Sequence, residues 1–68
     1  MKTLKTYTNN ETTFITKALD LLGIEYNLKR DVRNANEFVH DEISFSSTSE
    51  QDNLLGLLMK YNYEKNFN

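Results

Sequence analysis

His40 and Glu42 are the two residues of this sequence best suited to chemistry. They lie two positions apart in EFVHDEISF, residues 37–45, and His40 is the only histidine. In a β-strand this spacing puts both side chains on one face. An imidazole and a carboxylate together can bind zinc or exchange a proton.

A zinc site needs at least three protein ligands, and Glu25 on a neighbouring predicted strand is the single further candidate. We therefore expect no metal ligand here. The pattern favours an ordinary solvated strand face, on which His40 binds no metal and is dispensable for folding.

Four serines close to His40 in sequence raise the question of a nucleophile. A nucleophilic serine needs a glycine-rich elbow and an oxyanion loop, and the chain contains only two glycines. The same shortage excludes a glycine-rich phosphate loop. Helix capping explains at least two of these hydroxyls, so we expect no catalytic residue, no cofactor and no enzymatic activity. The serines are Ser44, Ser46, Ser47 and Ser49.

Length and composition limit what the chain can be. Its 68 residues form one domain at most, spanning 1–68, and the absence of Cys excludes disulfides and thiolate metal sites. No apolar run approaches the roughly 20 residues of a membrane span, and the first residues lack the apolar segment of a secretory signal. We expect a soluble protein of a bacterial cytoplasm.

The composition also suggests a source. Asn is frequent and Pro is absent, while Lys and Thr are abundant. Such usage is typical of AT-rich genomes, for example those of low-GC bacteria and their phages. The net charge of −2 argues against a dedicated nucleic-acid binder, because its affinity would come largely from neutralised phosphates.

The first predicted helix covers residues 9–22. Thr8 and Glu11 have the spacing of a capping box at its start. Apolar residues then cover about 160° of the helix surface. Gly23 stands where a left-handed residue ends a helix, and Ile24 can fold back onto the last turn.

Two strands are predicted near residues 24–30 and 38–46. The first alternates, with Ile24, Tyr26 and Leu28 on one side. In the second, Asp41 shares the side of the apolar Ile43 and Phe45. A buried carboxylate is costly unless it is paired, so either Asp41 lies at the strand margin or a bulge near His40 changes its facing.

The second predicted helix covers residues 48–64. Its start offers two overlapping capping boxes, Ser47 with Glu50 and Ser49 with Asp52. Its apolar arc spans about 200°, wider than one buried side requires. Leu54, Leu58 and Tyr61 form the centre of this arc. We expect four leucines to be nearly fully buried: Leu19, Leu22, Leu54 and Leu58.

Residues 2–8 can form a further short strand, which gives the order β-α-β-β-α. This order resembles a ferredoxin-like unit without its fourth strand. The resemblance implies an α+β, two-layer sandwich. Its sheet has three antiparallel strands with both helices on one face, and residues 37–45 supply the middle strand.

Two functions remain open. Surplus apolar area on so small a protein often marks an interaction site. We predict a non-enzymatic protein-binding module, of the kind that a phage or mobile element uses to inhibit a host defence or transcription protein. Its partner is then an unidentified host protein or a second copy in a homodimer. The predicted contact residues are Leu57, Met59, Tyr63 and Phe67.

The alternative is a nucleic-acid-binding accessory protein. Lys29, Arg30 and Arg33 would form a basic loop, and Phe38 with Tyr7 could stack bases on the open sheet face. Carboxylates dilute the charge of that surface: Glu25, Glu37 and Glu42.

Overall fold

The computed structural model describes residues 1–67, with side chains described through residue 62. Three strands and two helices follow in the predicted order. The strands are β1 (Lys2–Thr6), β2 (Tyr26–Val32) and β3 (His40–Phe45), and the helices are α1 (Asn9–Leu21) and α2 (Ser49–Phe67). The sheet order is β1-β3-β2, and both pairings are antiparallel. This confirms the predicted small α+β fold with β3 as the middle strand.

Local signals define both the start and the end of α1, as predicted. The Thr8 hydroxyl accepts the Glu11 N–H at 3.1 Å, while the Glu11 carboxylate reaches back to the Tyr7 N–H at 3.3 Å. Gly23 has a φ of 71°, a conformation that glycine adopts without steric cost. The Ile24 N–H then donates to the Leu19 carbonyl, which turns the chain back under the helix.

The capping box of α2 is formed by other residues than those predicted. Thr48 and Gln51 form it, with each side chain accepting the other residue's N–H at 3.1 and 2.9 Å. Ser47 instead donates its hydroxyl to Asp52, and Asp52 also pairs with Lys2 of β1. The start of α2 is thereby tied to the edge of the sheet.

The core lies between the helices and one face of the sheet. Leu19 and Ile43 are its largest fully buried side chains, and Leu55 is the buried leucine of α2. Of the four leucines predicted to be nearly fully buried, Leu19 is buried, whereas Leu22 and Leu58 are only half-buried against the cluster. Leu54 is exposed, so its prediction is wrong: the wide apolar arc of α2 faces the core about one residue further along. The remaining members of the buried cluster are Ile15, Ala18, Ile24 and Phe45.

Candidate functional site

Successive side chains of β3 lie on opposite faces of the sheet. Ile43 and Phe45 face the helices and are buried. His40, Glu42 and Ser44 face the side of the sheet away from the helices, here called the open face. The two sides therefore carry different chemistry, and each candidate residue is placed by its parity along the strand.

His40 is buried although it lies on the open face. It is 2% exposed, with Nδ1 at 2.8 Å from the Phe38 carbonyl and Nε2 at 3.0 Å from the Glu42 carboxylate. The Tyr7 ring lies against it, with centroids 5.7 Å apart. The expectation of a solvated strand face is therefore wrong for His40, because residues before β3 and after β1 cover the imidazole.

The structure does not bring His40 and Glu25, two of the ligands considered for a zinc site, close together. Both ring nitrogens already have partners. Glu25 lies next to Tyr26, which pairs with Phe45, whereas His40 pairs with Val32 at the other end of the sheet. Within the described part of the chain, no three His, Asp or Glu side chains come together in a group able to hold a metal ion.

Glu37 is the neighbour of His40 that the sequence did not indicate. Its carboxylate lies 4.0 Å from Nε2 and also binds Lys5 at 2.6 Å and the Asn34 amide at 2.8 Å. The Lys5 ammonium lowers the pKa of Glu37, and Glu37 raises that of Lys5. The sequence indicates the contact of Glu37 with His40 only through the length of the loop between β2 and β3, which allows residues 33–39 to fold back over the sheet.

His40 should make the stability of the protein depend on pH near neutrality. The Phe38 carbonyl, followed by the Glu42 carboxylate, holds the pKa of His40 above its usual value. The stability that protonated His40 contributes is therefore fully present below its pKa in the unfolded chain, about 6.5. This stability is lost as pH rises through its higher pKa in the folded protein. We expect the melting temperature to fall over that range.

The matched variant is His40→Gln, which cannot titrate. Thermal unfolding followed by circular dichroism should show no such fall in this variant between mildly acidic and mildly alkaline pH. If the variant keeps the wild-type pH profile, another group causes the fall and the assignment to His40 is wrong.

Asp41 is the second buried titratable residue, and it faces the helices as its parity requires. Its Oδ2 accepts the Thr12 hydroxyl at 2.7 Å, and its Oδ1 accepts the Asp31 N–H at 3.0 Å. Thr6 contacts the Thr12 hydroxyl at 2.6 Å. Because a hydroxyl has one proton, Thr12 donates to the carboxylate and accepts from Thr6. These hydrogen bonds lower the pKa of Asp41, and Arg30 adds to the effect.

A bulge in β2 explains how Asp41 is accommodated. Lys29 pairs with Glu42 and Val32 pairs with His40, so two residues of β2 stand opposite Asp41 alone. One of them, Asp31, has a φ of 55°. The bulge near His40 was one of the two alternatives, but it lies on the neighbouring strand, where it turns an N–H toward the carboxylate.

Two of the serines near His40 in sequence have other side-chain partners. Ser44 contacts Thr3 across the open face at 3.0 Å, and it lies four residues, roughly 13 Å, along β3 from His40. The Ser47 hydroxyl donates a hydrogen bond to the Asp52 carboxylate at the start of α2. Ser44 is thus engaged by the neighbouring strand β1, and Ser47 by the Asp52 side chain.

The predicted basic loop is divided by the sheet. Lys29 lies on the open face opposite Glu42. Arg30 reaches the other way, to the Asn9 side chain at 2.7 Å and to within 3.6 Å of the Asp41 carboxylate. Arg33 follows the end of β2 and is exposed. The structure thus does not gather these three cations on one surface.

Exposed apolar side chains line the outer side of α2. Leu54, Leu57 and Tyr61 are 44%, 63% and 65% exposed and lie at positions i, i+3 and i+7. This spacing puts them in one row along the helix, here called the α2 stripe. Met59 is 38% exposed and lies away from that row, and the side chains of Tyr63 and Phe67 lie outside the described residues.

The comparisons with known proteins found no relative. No protein-family model, no curated protein sequence and no solved structure matches this chain. In the described part of the chain, neither helix combines the length and the apolar character needed to cross a bilayer. The function must therefore be inferred from the surfaces described above.

Proposed function

We propose that this protein is a non-enzymatic protein-binding module, and that it binds its partner through the α2 stripe. The observation that carries the proposal is the row of Leu54, Leu57 and Tyr61, which remains exposed after the core is complete. A small chain of this kind acts by occupying a surface of another protein. We place it among phage or mobile-element inhibitors of host defence or transcription proteins.

The spacing of the α2 stripe indicates the mode of binding. Helices that lie in an apolar groove of a partner use anchors at i, i+3, i+4 and i+7. In α2 these positions are Leu54, Leu57, Leu58 and Tyr61. Leu58 is half-buried against the core and so fixes the helix, while the other three project outward. The partner should therefore present an apolar groove about two helical turns long.

Leu57→Lys tests this proposal directly. Leu57 is 63% exposed, so the variant should fold with its stability changed by less than about 1 kcal/mol. A lysine at the centre of the α2 stripe places a charge in the partner's apolar groove. We expect tagged wild-type protein to capture a specific partner from host lysate and the variant to lose at least tenfold in affinity, measured by calorimetry with the purified partner.

Phe38→Lys is the matched control. Phe38 is also an exposed apolar residue, but it precedes β3, and its carbonyl binds His40 on the open face. We expect this variant to keep full affinity. Loss of binding in Phe38→Lys with binding retained in Leu57→Lys would overturn the α2 stripe as the site. A salt-dependent mobility shift with RNA or DNA, unaffected by Leu57→Lys, would favour the nucleic-acid function instead.

A further inference from the structure

β1 forms an edge of the sheet that is suited to pairing with another strand. It pairs with β3 on one side through five consecutive residues, from Lys2 opposite Phe45 to Thr6 opposite Asp41, without a register shift. The outer backbone groups of such a regular edge can template a further strand.

The opposite edge of the sheet is protected. β2 carries the bulge between Lys29 and Val32, and Asp31 there has a left-handed backbone. Its N–H is turned inward to Asp41 and is not available to an incoming strand. Bulges of this kind interrupt edge-to-edge pairing, so the two edges are not equivalent.

The two lysines of β1 do not protect its edge in the usual way. Lys2 is held by Asp52 on the helix side of the sheet, and Lys5 is held by Glu37 on the open face, both at 2.6 Å. Each charge is therefore balanced within the chain, and the ammonium groups are directed above and below the sheet. Little net charge remains to repel a second strand.

We propose that β1 pairs with β1 of a second copy of this chain, antiparallel and about a twofold axis at Leu4. This register uses all five residues of the strand. It places Leu4 opposite Leu4, Lys2 opposite Thr6 and Thr3 opposite Lys5, so no two lysines are directly opposed. A twofold axis at Lys5 would instead oppose two lysines, which destabilises a pairing. The interface is separate from the α2 stripe and does not depend on the proposed function.

The consequence is a continuous sheet of six strands, with the helices of both copies on the same side. Leu4 faces the helices and packs against the core cluster in each copy. Pairing therefore joins two apolar residues next to both cores. A five-residue edge is short, so we expect a weak, concentration-dependent dimer.

Charge substitutions at Thr3 test both the interface and its register. Thr3→Lys places a lysine opposite Lys5 of the other copy, and Thr3→Glu places a carboxylate there. Both variants lose the same contact with Ser44. We expect the dimer dissociation constant of Thr3→Lys to be about tenfold higher than that of Thr3→Glu, because each dimer contains the residue 3–Lys5 pair twice. The ratio of the two dissociation constants should shrink at high salt, which screens the charges. Sedimentation equilibrium over a wide concentration range measures it.

Two outcomes would overturn the proposal. One is a wild-type protein that stays monomeric up to millimolar concentration. The other is an equal effect of both Thr3 variants, since a twofold axis at Thr3 would oppose like charges in either case and a distant interface would respond to neither.

Cross-linking gives a second measurement. The chain has no Cys, so Leu4→Cys introduces one thiol into each copy. In the proposed register the two thiols belong to directly opposite residues, whose Cα atoms are about 4.5–5.5 Å apart, a separation that suits a disulfide. Thr3→Cys is the control, because its two copies lie out of register. Rapid covalent dimerisation of the first variant only supports the register, and equal rates for both contradict it.

Discussion

Leu55→Ala is expected to lower the free energy of unfolding by about 2–5 kcal/mol, the usual cost of truncating a buried leucine. Leu55 is 5% exposed and belongs to the buried cluster. A chain of this length buries only about 60% of its unfolded surface, less than a larger domain does, so its total stability is low. The variant should therefore be partly unfolded at 25 °C, which chemical denaturation followed by circular dichroism will measure.

Leu54→Ala provides a control one residue away. It makes the same chemical change in the same helix, so helix propensity cancels in the comparison. Because Leu54 is 44% exposed, we expect a loss of less than about 1 kcal/mol. Equal losses in both variants would show that α2 is rotated relative to the sheet, and the α2 stripe would then be part of the core.

Asp41→Asn is the second change for which we expect a large effect. The amide keeps the shape of the side chain but removes the charge that receives the Thr12 hydroxyl and the Asp31 N–H. One of the two terminal atoms becomes a donor facing another donor. A buried group left without its hydrogen bond costs about 1–3 kcal/mol, and the bulge in β2 loses the acceptor that holds Asp31.

The pH dependence identifies the cause of this loss. The pKa of Asp41 is lowered in the folded protein, so its contribution is present above the unfolded pKa of about 3.9 and disappears as pH falls through the folded pKa. The difference between wild type and Asp41→Asn should therefore shrink in acid. Asp20→Asn, the same change at an exposed position of α1, should have little effect. A wild-type advantage that persists unchanged in strong acid would contradict this role for the carboxylate.

The elements whose signals are local could be predicted from the sequence alone. The Thr8 cap and Gly23 define the ends of α1, because each acts on the backbone within one turn. Alternation placed Ile43 and Phe45 on the buried side of β3, since the period of a strand is two residues. The i, i+2 spacing also placed His40 and Glu42 on one face of the strand, where His40 Nε2 and the Glu42 carboxylate are 3.0 Å apart.

The features that depend on neighbouring elements could not be predicted in this way and are seen only in the folded chain. The apolar arc of α2 was too wide to indicate one direction, so contact with the sheet and α1 selected Leu55 over Leu54 as the buried leucine. His40 is buried because Tyr7, Glu37 and Phe38 surround it on a face that alternation alone marks as solvated. Asp41 is tolerated in the core because the bulge that serves it lies on another strand. Burial and register are relations between segments distant in sequence, and no local pattern contains them.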